Sequence, residues 1–116
     1  MSSSSCQFCR IVAGEAPAEI LHETETILAF RDVRPGAPTH LLLVPKEHLR
    51  DVRELEDRHA GVVLDLLQAA AHLARTEKVD ESGWRLAVNI GRDAGQSVFH
   101  LHFHLLGGRA MGWPPG

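Results

Sequence analysis

With 116 residues, 44% of them apolar and 23% charged, the chain has the size and composition of one ordinary globular domain. A net charge of −3 with histidines neutral excludes a broad basic face for nucleic acid, and no apolar run approaches the roughly 18 residues of a membrane span. Met1 is followed by Ser2 to Ser5, with neither the basic nor the apolar stretch of a signal peptide, so a cytoplasmic location is expected. Eight histidines against no tyrosine, and two cysteines spaced C-x-x-C, are the unusual features.

Ser2 to Ser5 read as a disordered tail, residues 1–5, ahead of a single domain over residues 6–116. From Cys6 to Ala13, apolar residues at Phe8, Cys9, Ile11 and Val12 predict a short helix, with Gly14 where it would stop. Glu19 to Glu23 and Thr26 to Arg31, separated by Thr24-Glu25, predict a hairpin. Arg34-Pro35-Gly36-Ala37-Pro38 reads as a loop. The unbroken run Leu41-Leu42-Leu43-Val44 predicts a strand buried on both faces, which Pro45 ends or marks as an edge. Between about Glu56 and Lys78, Val63, Leu66, Leu67, Ala70, Leu73 and Ala74 recur at helical spacing. Trp84 to Ile90 and Val98 to Leu106 alternate as strands, and Gly107-Gly108 closes the second. These elements sum to an α+β domain: an antiparallel sheet of about five strands, one long helix and one short one.

His100-Leu101-His102-Phe103-His104-Leu105 is the richest segment. Strand side chains alternate, so the three histidines share one face, roughly 7 Å apart, while Phe99, Leu101, Phe103 and Leu105 take the other. Such a row can flank a phosphate, bind a catalytic metal, or form a solvated edge. A three-histidine zinc site calls for a carboxylate beside the metal-bound water, and the nearest upstream acid, Asp93, lies on the preceding loop. That loop, Gly91 to Val98, has glycines at 91 and 95 that let backbone N–H groups approach an anion. Gln96 and Ser97 add side-chain donors, and Asn89 can hold a phosphate or ribose oxygen. In a reducing compartment, Cys6-x-x-Cys9 points to metal or redox chemistry. His22, His59 and His72 lie outside these motifs and are expected at the surface.

His100 to Leu106 matches the pattern His-φ-His-φ-His-φ-φ, and the chain resembles the histidine triad superfamily in its nucleotide-binding, phosphoramidase-type branch. Phe30-Arg31-Asp32-Val33, Ala37-Pro38-Thr39-His40, Val44-Pro45-Lys46-Glu47-His48, Ala94-Gly95-Gln96-Ser97, and Gly107-Gly108-Arg109 with Trp113-Pro114-Pro115-Gly116 carry the resemblance further. It implies that His102 attacks the α-phosphorus and forms a nucleotidyl-histidine that water hydrolyses. Such an imidazole must be neutral, one nitrogen free and the other donating to a fixed acceptor such as the His100 carbonyl. The resemblance further implies His40 as a remote fourth histidine against the triad, and His104 and Ser97 as contacts to phosphate and leaving group. It implies Asp32 as the ribose-binding acid, and Phe8, Ile11, Phe30 and Val33 as the slot for the base.

In zinc-bearing members of the superfamily, the equivalents of Cys6 and Cys9 work with two histidines matching His48 and His100. The resemblance therefore implies one structural zinc per chain, closed to substrate, with no cofactor required for the chemistry. The expected activity is hydrolysis of purine nucleoside phosphoramidates or related AMP conjugates by a homodimer. The alternatives are a dinucleoside polyphosphate hydrolase, or a nucleotide-sensing or protein-binding module with weak catalysis. One departure from relatives is Ala110-Met111-Gly112, where polar side chains often flank the methionine; leaving-group contacts from the tail are then fewer.

Overall fold

A computed structural model of the chain describes residues 5–116. The expected tail, Ser5 apart, lies outside the described residues. Helix α1 spans Gln7–Val12, β1 Ile20–Glu23, β2 Ile27–Arg31, β3 Thr39–Pro45, α2 Ala60–Thr76, β4 Trp84–Val88 and β5 Phe103–Gly107, with short 3₁₀ turns at Val52–Glu54, Asp57–His59 and Arg92–Ala94. The strands form one five-stranded sheet in the order β1-β2-β3-β5-β4, antiparallel throughout. The expected α+β architecture is therefore present.

Strand β3 sits at the centre of the sheet, and its unbroken apolar run follows from that position. Leu41 and Leu43 point into a core with Ile27, Ala29, Leu105 and the α2 residues Leu66, Ala69, Ala70 and Leu73. Leu42 and Val44 point the other way, into a smaller core with Phe8, Leu28 and Phe30. Period-two alternation thus serves two apolar layers at once, one under each helix. Pro45 ends the strand. An ion pair from both Arg31 guanidinium Nη atoms to the two Glu77 carboxylate oxygens, 2.8 Å each, ties β2 to the end of α2.

Four local expectations need correction. Helix α2 begins at Ala60, because Asp57–His59 form a 3₁₀ turn before it. His59, expected at the surface, is 2% exposed: its Nδ1 accepts the Glu56 N–H at 2.8 Å and caps that turn. Leu67, placed on the core stripe by its spacing, is 42% exposed, because Leu66, Ala69, Ala70 and Leu73 take the inward face. The strand expected from Val98 begins only at Phe103. Before it, the Leu101 N–H is drawn to the Leu49 carbonyl at 2.6 Å, away from a sheet partner.

Candidate active site and adjoining metal centre

The α1 face of the sheet carries both functional clusters. Phe103 and Leu105 pack into the α2 core, while His102 and His104 open onto a cleft of about 390 Å³ on the opposite side. The ring centroids of His102 and His104 are 4.9 Å apart, closer than the regular strand spacing expected. Phe99 does not join the inner row: it is 48% exposed, with the Arg50 guanidinium 4.4 Å above its ring.

Backbone partners settle the protonation of each ring. The His102 Nδ1 lies 2.7 Å from the His100 carbonyl oxygen. A carbonyl only accepts, so Nδ1 carries the proton and Nε2 keeps a lone pair. Burial lowers the pKa of His102, against the hydrogen bond to His100 and the charge of Asp32, which raise it; at pH 7 the ring is neutral. His40 is arranged the opposite way. The Gly36 N–H donates to His40 Nδ1 at 2.8 Å, so the His40 proton sits on Nε2. That nitrogen lies 2.8 Å from His104 Nδ1 and 3.4 Å from Asp32 Oδ2. His104 then accepts at Nδ1 and carries its own proton at Nε2. Burial, reinforced by the neighbouring His102 and His40, pushes the pKa of His104 down to about 4.

The cleft wall brings together the expected base-slot residues Phe8, Ile11, Phe30 and Val33 with Asp32, Ser97, His102 and His104. Asp32 has a second task, since its Oδ1 accepts the Arg34 N–H at 2.9 Å in a local turn. His40 stands behind the wall. Asn89, Gly95 and Gln96 are not part of the lining. The Gln96 side chain is turned inward: its Oε1 accepts the Gly91 N–H at 2.9 Å, and its Nε2 donates to the carbonyls of Arg50 and Val98. It braces the loop and aims no donor at the cleft. Gly91 and Gly95 hold φ of 86° and 83°, which only glycine adopts freely. Arg34, Leu42 and Gln7 line the cleft without having been singled out from sequence; Leu42 was legible only as core.

The second cluster lies next to the first. Sulfur of Cys6 is 3.4 Å and sulfur of Cys9 is 3.5 Å from His100 Nδ1. His48 Nδ1 is 3.2 Å from Cys9 Sγ and 3.2 Å from His100 Nδ1. Tetrahedral zinc with ordinary Zn–S and Zn–N bonds sets its ligand atoms about 3.3–3.8 Å apart, so the four atoms are already near coordination spacing. His100 Nε2 is occupied by the Pro45 carbonyl at 2.8 Å, which leaves the Nδ1 lone pair facing the two sulfurs. Two soft sulfurs and two imidazole nitrogens are a structural zinc set, with no open position for substrate.

A HIT domain model matches residues 13–111. The chain is 42% identical over 118 residues to a 14 kDa zinc-binding protein of Zea mays, covering all of this chain and 91% of that one. It is 41% identical over 117 residues to the adenylylsulfatase HINT1 of Arabidopsis thaliana, covering 99% of this chain and 79% of that one. Its fold superposes on the crystal structure of a HIT family hydrolase from Legionella pneumophila with a TM-score of 0.94 at 47% identity, covering 97% of this chain and the whole of that one. The chain belongs to the HIT domain family, in its histidine triad nucleotide-binding branch. Zinc is the cofactor that Cys6, Cys9, His48 and His100 suit.

Proposed function

We propose that this protein is a nucleotidyl hydrolase that cleaves purine nucleoside 5′-phosphoramidates and related AMP conjugates through a covalent bond to His102. The observation that carries the reading is the fixed tautomer of His102: Nδ1–H held by the His100 carbonyl, which leaves Nε2 free on a ring that lines a cleft together with Asp32 and Ser97. A neutral, oriented imidazole is what in-line attack on phosphorus requires. In this scheme the base lies among Phe8, Ile11, Phe30 and Val33, and Asp32 accepts from the ribose hydroxyls. The His104 Nε2–H meets charge on the phosphoryl oxygens as it develops, whereas the Gly95 and Gln96 N–H groups are spent inside the loop, on the Arg92 and Gly91 carbonyls. Gln96 acts from behind, by holding the loop. An imidazole with pKa about 4 stays neutral at pH 7, so His104 donates a hydrogen bond, and the exposed Ser97 hydroxyl gives its proton to a departing amine while taking one from solvent water.

A second leaving group is favoured by the Arabidopsis relative, an adenylylsulfatase. Sulfate departs without needing a proton, so the two leaving groups separate the roles. Ser97→Ala is expected to slow hydrolysis of an AMP-amine conjugate by about 10²-fold, within the usual range for proton-transfer catalysis, and to change adenylyl sulfate hydrolysis far less. Rapid-quench mass analysis away from acid is expected to find the AMP adduct on His102. Turnover of either substrate by His102→Ala at more than about a thousandth of the native rate overturns the nucleophile assignment. The same reading has the enzyme act in the cytoplasm as a homodimer, with β4, half-buried at the sheet edge, as a surface for a second copy.

A further inference from the structure

The cysteine pair has a property that structural zinc alone does not use. Its outer half is reachable: Cys6 and His48 line an open cleft of about 300 Å³ together with Gln7, Ser97 and Phe99. Its inner half, Cys9 and His100, is 3% and 0% exposed. The two sulfurs lie within 4.8 Å of each other, and Cys6 caps the helix whose first turn holds Cys9, whose N–H donates to Cys6 Sγ at 3.3 Å. From that separation a disulfide of about 2.05 Å can close by side-chain movement. His100 links this pair to the cleft, since its ring faces both sulfurs and its carbonyl holds His102 Nδ1 at 2.7 Å.

We infer that Cys6 and Cys9 form a reversible oxidation site for peroxides, and that closing their disulfide disengages the catalytic imidazole through His100. The Cys6 thiolate attacks a peroxide oxygen, giving Cys6 sulfenic acid and hydroxide. The Cys9 thiolate then attacks the Cys6 sulfur, forming the S–S bond and expelling a second hydroxide. Two electrons pass from the two sulfurs to the peroxide, and solvent protonates both hydroxides. Both sulfur ligands are thereby lost and the metal ion is released. The His100 ring keeps the Pro45 carbonyl and its neighbour His48 but loses the metal that joined it to the two sulfurs, and the backbone that orients His102 loosens.

The catalytic consequence rests on the proposed hydrolase reading, whereas the oxidation itself does not. Zinc-loaded protein is treated with hydrogen peroxide and followed by chromophoric zinc release, intact mass, the His102 Nδ1–H proton resonance, and turnover of an AMP-amine conjugate. One zinc released per two hydrogens lost is expected, with disappearance of the His102 resonance. Turnover is expected to fall roughly 10–100-fold, the usual cost of removing support from behind a site, and reductant with zinc restores all four signals. Cys6→Asp keeps an oxygen ligand and a helix cap but cannot form the disulfide; relative to its untreated state, it is expected to resist peroxide. The inference is overturned if the disulfide forms while the His102 resonance stays unchanged, if the sulfurs go only to sulfinate or sulfonate, or if Cys6→Asp is as sensitive as the native chain. Failure of the untreated protein to hydrolyse nucleotides at all would strike the hydrolase reading alone, because zinc, mass and resonance report independently of it.

Discussion

Two clusters of potential metal ligands lie on the same face of the sheet: Cys6, Cys9, His48 and His100, and Asp32, His40 and His104. In each, one ligand atom per residue falls within 4.8 Å of the others, so distance alone does not separate them. The backbone does. His100 gives its Nε2–H to a carbonyl, that of Pro45, and turns a lone pair toward the sulfurs. His40 receives a proton donor, the Gly36 N–H, and so turns an N–H toward His104 and Asp32. The first cluster is a cation cage and the second a hydrogen-bond relay. Whether the backbone partner accepts or donates decides which nitrogen is left for chemistry.

The largest expected effect breaks the cage. At free zinc 1,000-fold above its dissociation constant, a native-state site contributes about 4 kcal/mol. For a domain of this size, chelation or Cys9→Ser should therefore lower Tm by on the order of 10–20 °C. Elemental analysis should give one zinc per chain, falling in Cys9→Ser. Cobalt titration should saturate at one equivalent with a thiolate charge-transfer band. A second tight equivalent, lost in Asp32→Asn, would mean that the relay is also a metal site and would erase the contrast.

A smaller effect is written in acid. The folded chain holds His104 at about 4, through burial and then the neighbouring His102 and His40, against an ordinary value near 6.5. Below pH 6.5 the unfolded chain therefore takes up a proton that the folded chain refuses. Stability is flat in this respect above 6.5, falls as pH drops toward 4, and levels off below. Linkage limits the loss to about 3 kcal/mol. The test is the stability difference between native protein and His104→Gln, by urea unfolding at several pH values in a chelator. It should change between pH 6.5 and 4 and stay constant above.

The elements that could be read from sequence are those whose cause is local. Leu41 to Val44 is apolar because both of its neighbouring layers are, and the histidine row and C-x-x-C spacing put ligands side by side in the chain itself. What escaped was decided at long range. Its place in a glycine-bordered loop makes Gln96 an expected donor to the ligand, yet its amide is spent on the Arg50 carbonyl, 46 residues away. The early end of the histidine strand follows from the bond between Leu101 and Leu49. His59 had a detectable signal: Glu56 three residues ahead of it, just before an apolar run, is the spacing of a capping box, with histidine in the place of Glu or Gln. Asp32 carries a tie that its resemblance did not imply, because one of its oxygens makes a turn with Arg34 while the other faces His40.

The smallest effect tests the relay directly. His40→Ala removes the acceptor of the Gly36 N–H and the donor to His104 Nδ1. The His104 ring is then free to turn or to exchange tautomers, and its Nε2–H is no longer committed to the cleft. A loss of about tenfold in kcat, with KM nearly unchanged, is expected from one misplaced hydrogen bond to developing charge; this is milder than the removal of a direct donor. His40→Gln discriminates between positioning and mere packing. Its amide oxygen can accept from Gly36 while its NH₂ donates to His104, so the polarity of the relay is kept without an imidazole. If Gln restores most of the rate and Ala does not, the relay works by fixing a tautomer. If both lose equally, His40 acts through its ring, by titration or by bulk, and the backbone-polarity argument fails on the side of the relay while holding for the cage.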